Sequence, residues 1–235
     1  MRDKDVIISQ LQTEIDRIKE DILKMGGLVE EALEDATKAL ADRDEVLAKS
    51  VIQKDRRVNE LENYIDAFCI RVIATKQPVA ADLRLLTACL RICSSLERSG
   101  DQAVNLSQRT LALCELAPME TVLPSLLQMA ELGKEMTRKA LDAFVRRDVA
   151  LAREVCCQDD EMDDLNRQVL EEMLGWMMDE KRLVRRGVEL ILASRHLERV
   201  GDQATNMAEE VVFMVEGNII RHQADEACRP AEKRA

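Results

Sequence analysis

The chain has 235 residues, 46% of them hydrophobic but only 2% aromatic, with 34% charged and a formal net charge of −11. That length permits one large domain or two small ones with real cores, and so acidic a balance argues against nucleic acid as a partner. No run of about 18 apolar residues exists, so no direct membrane insertion is expected.

Eight Gly and four Pro in an aliphatic, Glu- and Arg-rich chain indicate long helices, and little remains for strands. The first segment, MRDKDVIISQLQTEID, has no signal-peptide core, which predicts a cytoplasmic protein. Seven cysteines are an odd number without CxxC spacing, so they read as reduced thiols, mostly small core residues.

In chain order, apolar residues at three- and four-residue steps predict a first helix from near Ser9, through Leu11, Ile15 and Ile18 to Leu40. Gly26 and Gly27 interrupt it as a tolerated kink or a close crossing. Asp44 is a good N-cap for a second helix, which ends before Pro78. A third starts near Val79 and runs to about Leu113. Pro118 and Pro124 punctuate the junction. A fourth helix carries Leu126 to Phe144, and Arg147-Asp148 caps a fifth that reaches about Met178. A sixth spans about Leu183 to Glu216, and the residues after Gly217 form a polar, frayed tail.

The second three helices repeat the first three. Leu96 to Asn105 reads LERSGDQAVN and Leu197 to Asn206 reads LERVGDQATN, offset by 101 residues. Asp44, Leu47, Ala48, Val51 and Asp55 match Asp148, Leu151, Ala152, Val155 and Asp159 at an offset of 104. The first half therefore has three extra residues, most simply in the connection around Pro78. The expected fold is all-α, two tandem three-helix bundles made by internal duplication: residues 1–116, residues 117–217, and a tail, residues 218–235.

The repeated phrases carry chemistry. Glu97, Asp101 and Asn105 lie one helical turn apart on one face, as do Glu198, Asp202 and Asn206. The second and fifth helices add Asp55/Asn59 and Asp159/Asp163. Antiparallel packing would set each pair of rows side by side, where like charges repel. A hard divalent ion such as Mg, Mn, Ca or Fe would relieve that repulsion, and the duplication of both rows favours this reading. Ion pairs with Arg98 and Arg199 are the alternative. Gly100 and Gly201, mid-helix beside these rows, suggest close approach of a neighbouring helix or a ligand. The Glu-x-x-His signature of di-iron bundles is absent, since Ala193 stands three residues before His196. No nucleophile–base pairing or phosphate loop appears. Arg84, in the segment PVAADLR, is read as exposed to a partner or as part of a cap.

The doubled ERxGDxxxN phrase, the PVAADLR segment and the two three-helix repeats resemble the PhoU family of phosphate-specific transport regulators. The resemblance covers roughly residues 8 to 217. It implies a cytoplasmic, non-enzymatic regulator, usually a homodimer. Such a protein links the phosphate ABC transporter to a sensor histidine kinase and represses the phosphate-starvation regulon. It also implies divalent or multinuclear metal at Asp55–Asn59 with Glu97–Asp101, and at Asp159–Asp163 with Glu198–Asp202. Asn59 departs from its acidic counterpart Asp163. A carboxylate-bridged metalloenzyme and a structural helical scaffold are the competing readings.

Overall fold

The computed structural model describes residues 2–117 and 124–220, and within them every regular element is helical. The first half contains α1 (Arg2–Asp42), α2 (Glu45–Lys54), α3 (Arg56–Lys76) and α4 (Ala81–Cys114). The second contains α5 (Pro124–Arg146), α6 (Val149–Asp179), a 3-10 turn (Lys181–Leu183) and α7 (Val184–Glu216). Because α2 and α3 form one interrupted rod, each half is a three-helix bundle, as the duplicated sequence requires. Pro118 and His222 lie outside the described residues, as do Cys228 and most of the tail.

The turns that join the first two rods of each half are built alike. Arg43 and Arg147 adopt left-handed backbone geometry (φ 55° and 56°), and the following aspartate caps the next helix. Asp44 Oδ1 accepts from the amides of Val46 and Leu47, and Asp148 Oδ1 accepts from that of Leu151. Such caps satisfy amides that the first helical turn leaves unpaired. Arg43 also donates to the carbonyls of Leu113 and Leu116, closing the last turn of α4.

Three details depart from the sequence reading. Helix α1 begins at Arg2, well before Ser9. The second rod breaks for one residue at Asp55, where the backbone tightens so that Val58 N bonds Asp55 O at 2.9 Å. The connections around Pro78 and Glu180 are both four residues long, so the three extra residues lengthen α3 by one and α4 by two.

The halves share one continuous apolar core. Helix α4 packs along α7 and α1 packs on α5, so the central seam joins the two bundles. Polar bridges cross that seam in antiparallel order. Arg91 pairs with Glu210 (3.1 Å), Gln102 with His196 (2.9 Å) and Arg109 with Glu189 (3.1 Å). Glu210 is only 2% exposed, with the Arg91 guanidinium beside it.

Cys69, Cys89, Cys93 and Cys156 are buried free thiols, and burial pushes the pKa of each well above the ordinary thiol value. Cys114 is free and partly buried, whereas Cys157 is disulfide-bonded, which corrects the reading of every cysteine as reduced.

Helix α1 runs unbroken through its glycine pair. A Cβ on Gly26 would meet Leu141 Cδ1 of α5 at 2.4 Å, whereas one on Gly27 would meet nothing within 4 Å. Gly26 is therefore a close crossing between the halves, and Gly27 only weakens the helix. Gly27→Ala is expected to stabilise the protein by about 0.5–1 kcal/mol. Gly26→Ala should gain less or lose stability, because Leu141 must move. Chemical denaturation of the two variants checks this; equal gains would contradict the crossing.

Candidate functional site: two facing acidic clusters

Each half sets two acidic helical rows against one another. In the first, Asp55 is the break between α2 and α3, Asn59 follows one turn later on α3, and Glu97, Asp101 and Asn105 lie along α4. In the second, Asp159 and Asp163 lie on α6, and Glu198, Asp202 and Asn206 on α7. The repeated glycines allow the approach. A Cβ on Gly100 would lie 3.3 Å from Asp55 Oδ1 and 3.4 Å from Val58 Cγ1; one on Gly201 would lie 3.1 Å from Met162 Cγ. Val58 and Met162 are equivalent in the two halves. The glycines therefore admit a neighbouring helix, not a ligand.

The electrostatics follow from that proximity. Burial, then the charges of Asp101, Glu62 and Asp55, push the Glu97 carboxyl up to about 7, against the opposing effect of Arg98. Asp55 is raised by burial and by Asp101. In the second half, burial and then Asp202, Asp163 and Asp160 raise Asp159 to about 6. Asp202 is raised by burial and Asp163. Glu198 is raised mainly by burial, with Arg195 opposing. Such shifts are what closely spaced carboxylates on low-dielectric helix walls produce.

In the first half the acidic row of the second rod is longer than the sequence reading has it. Glu62 and Asp66 continue the Asp55/Asn59 row at the next helical steps. Burial raises both, and Glu62 also feels Asp66 and Asp101. Continuing the three- and four-residue spacing past Asn59 would have found them. Asn105 and Asn206 extend the other rows but make no side-chain hydrogen bond among the described residues. Arg84 is not exposed: it is half-buried, its guanidinium carbon 3.8 Å from the Cβ position of Gly217 at the end of α7.

These clusters do not form metal centres. Among the described residues, no three His, Cys, Asp or Glu side chains are grouped so that they could hold an ion. This overturns the expectation of a divalent or multinuclear cofactor at Asp55, Asn59, Glu97, Asp101 and Asn105, and at Asp159, Asp163, Glu198, Asp202 and Asn206. The oxygens are directed elsewhere. Asn59 turns its amide nitrogen to Asp55 Oδ2 (3.0 Å), so it acts as a donor there. Glu198 Oε2 faces Arg195 Nε at 3.7 Å. The ion-pair alternative holds only in that last contact, since Arg98 and Arg199 make no salt bridge among the described residues.

With this doubled arrangement in view, comparison with known proteins is direct. A family model for the PhoU domain matches residues 22–110 and 126–211, one copy in each half. The chain belongs to the PhoU family. It is 37% identical over 216 residues to the phosphate-specific transport system accessory protein PhoU homolog of Pseudomonas putida, covering 92% of this chain and 84% of that one. The Escherichia coli (strain K12) accessory protein PhoU is 32% identical over 219 residues, with 92% and 89% covered. The crystal structure of PhoU from Pseudomonas aeruginosa superposes with a TM-score of 0.85 at 37% identity, covering 88% of this chain and 99% of that one. The phosphate transport system regulatory protein PhoU from Streptococcus pneumoniae gives 0.83 at 28% identity, covering 89% and 98%.

The raised carboxyls and a lowered histidine make stability depend on pH with opposite signs. Glu97 and Asp159 bind protons more tightly folded than unfolded, so their contribution is lost as pH rises from about 4.5 to 7 and from about 4 to 6 respectively. Burial lowers His196 to about 4, so its contribution is lost as pH falls from 6.5 towards 4. After allowance for solvent screening, Glu97→Gln is expected to raise stability by about 1 kcal/mol at pH 8. At pH 4 it should change nothing. Urea denaturation at both pH values checks this, and a loss of stability at pH 8 would refute the like-charge account.

Proposed function

We propose that this chain is a non-enzymatic regulatory adaptor of phosphate uptake. It acts in the cytoplasm as a homodimer, coupling a phosphate ABC transporter to a sensor histidine kinase and holding the phosphate-starvation regulon repressed when phosphate is plentiful. The observation that carries this reading is the match of both repeats, over nearly the whole chain, to proteins named as phosphate-specific transport system accessory proteins. The absence of a membrane-crossing helix among the described residues is compatible with it. We further propose that residues 1–116 and 117–217 are the two repeat units, followed by a tail at 218–235.

In this reading the acidic rows serve recognition. Asp101 and Asp202 are exposed, and neither makes an ion pair among the described residues. Carboxylates held in that way offer a partner's basic side chains an interaction that the protein does not satisfy internally. Adaptor action then needs only that docking favour one state of the kinase over another.

The test is genetic. A strain lacking this protein, carrying a reporter under a phosphate-starvation promoter, should express the reporter several-fold more strongly in high phosphate. The intact gene should restore repression. Asp101→Ala combined with Asp202→Ala should restore it only partly, with an unchanged circular-dichroism spectrum. Unchanged reporter expression in the deletion strain would overturn the adaptor reading; full repression by the double variant would remove the acidic rows from it.

A further inference from the structure

The surface formed by α6 and α7 continues beyond its acidic cluster as an exposed apolar face. Three contacts set the register of these antiparallel helices. Met162 lies against the Gly201 Cβ position, Ser194 donates to Asn166 Oδ1, and Met177 lies 2.9 Å from the Gly187 Cβ position. At that register Leu174 stands level with Val188, and Met178 with Val184. Leu170 lies seven residues beyond Asp163, on the same side of α6. Leu170, Leu174, Val184 and Val188 are each 41–47% exposed, and Met178 is 85% exposed.

The first half provides an internal control. At the equivalent places it carries Asp66 for Leu170, Ala74 for Met178 and Thr87 for Val188, although Ile70 and Leu83 remain apolar. The duplicated scaffold therefore does not require large hydrophobic side chains at Leu170, Met178 and Val188. Contiguous exposed apolar side chains beside polar ones mark interaction surfaces. At the cluster end of this face, Asp163 and Asp202 are exposed and make no ion pair among the described residues. Arg195 and Arg199 temper the charge there without neutralising Asp163, Asp202, Asp159 and Asp160 together.

We propose that this α6–α7 face receives an amphipathic helix of a partner protein. That helix is apolar along the side that covers Leu174 and Val188, and carries lysine or arginine at the end lying over Asp163 and Asp202. Apolar anchoring supplies affinity, and the charged end fixes direction along the groove. The proposal rests on the adaptor reading and names the surface through which it would act.

The test uses the full chain and a fluorescent leucine–lysine peptide of about five helical turns, with its lysines confined to one end. Comparators are the same peptide with glutamate for lysine, and a composition-matched scramble. By anisotropy, the lysine peptide should bind at least about tenfold more tightly than either comparator. Leu174→Asp with Val188→Asp should lose about tenfold. Asp163→Asn with Asp202→Asn should flatten the salt dependence, and Ile70→Asp in the first half should change nothing. These positions are exposed, and circular dichroism and thermal melts confirm folding of each variant. Equal binding of the scramble, or undiminished binding by the Leu174/Val188 variant, overturns the proposal. So does sedimentation showing that this variant turns a dimer into a monomer while the lysine peptide never binds, since the occupant is then a second copy. Repression that persists without peptide binding removes this face alone; a deletion strain without a regulatory effect removes the adaptor reading independently.

Discussion

The separation of helices at Gly100 and Gly201 governs what the rest of each half can do. A glycine in a helix interior costs about 1 kcal/mol relative to alanine, yet both copies of the repeated phrase keep one at the same step. Each admits the equivalent residue of the facing helix, Val58 in one half and Met162 in the other, into the space that a Cβ would crowd. That approach carries the two acidic rows towards each other. The raised carboxyls of Glu97 and Asp159 follow from it, because carboxylates on separated helices would be hydrated and mutually screened.

The architecture was largely legible before any coordinates. Three- and four-residue apolar spacing, the Asp44 and Asp148 caps and the doubled phrase specify two bundles of three rods, because such signals act within a few residues. The facing of Asp55 with Asp101 and of Asp159 with Asp202 was also legible, because duplication tied each row to its partner. The fate of individual oxygens was not. Whether Asn59 presents its oxygen or its nitrogen to Asp55 depends on side-chain rotation, which helical spacing does not encode. The same holds for the approach of Arg195 to Glu198, where the equivalent of Arg195 in the other half is Ser94. The seam was hidden for a related reason. Arg91 and Glu210 are 119 residues apart, and neither is marked by local pattern.

The two halves show how duplication separates roles on one scaffold. The caps, glycines and acidic rows persist in both copies; the caps and glycines let each bundle close, whereas the rows cost stability. The side chains lining the outer grooves have diverged. Asp163 adds a charge where Asn59 supplies an amide donor, and Leu170 replaces Asp66. The first groove is thus carboxylate-lined over a longer stretch, whereas the second changes from acidic to apolar along its length. A repeat protein can vary such outward positions at little cost to folding, because exposed side chains contribute little to the core.

The pairing of α1 with α5, and of α4 with α7, also has a consequence for synthesis. The ribosome releases the first bundle before the helices that cover its inner flank exist. Gly26 waits for Leu141, and Arg91 waits for Glu210, more than a hundred residues later in the chain. Through that interval the nascent first half presents apolar surface to the cell. Its final docking is a long-range event of the kind that slows folding and exposes intermediates to aggregation or chaperones. The common seam thus makes the packing of the first half depend on the synthesis of the second.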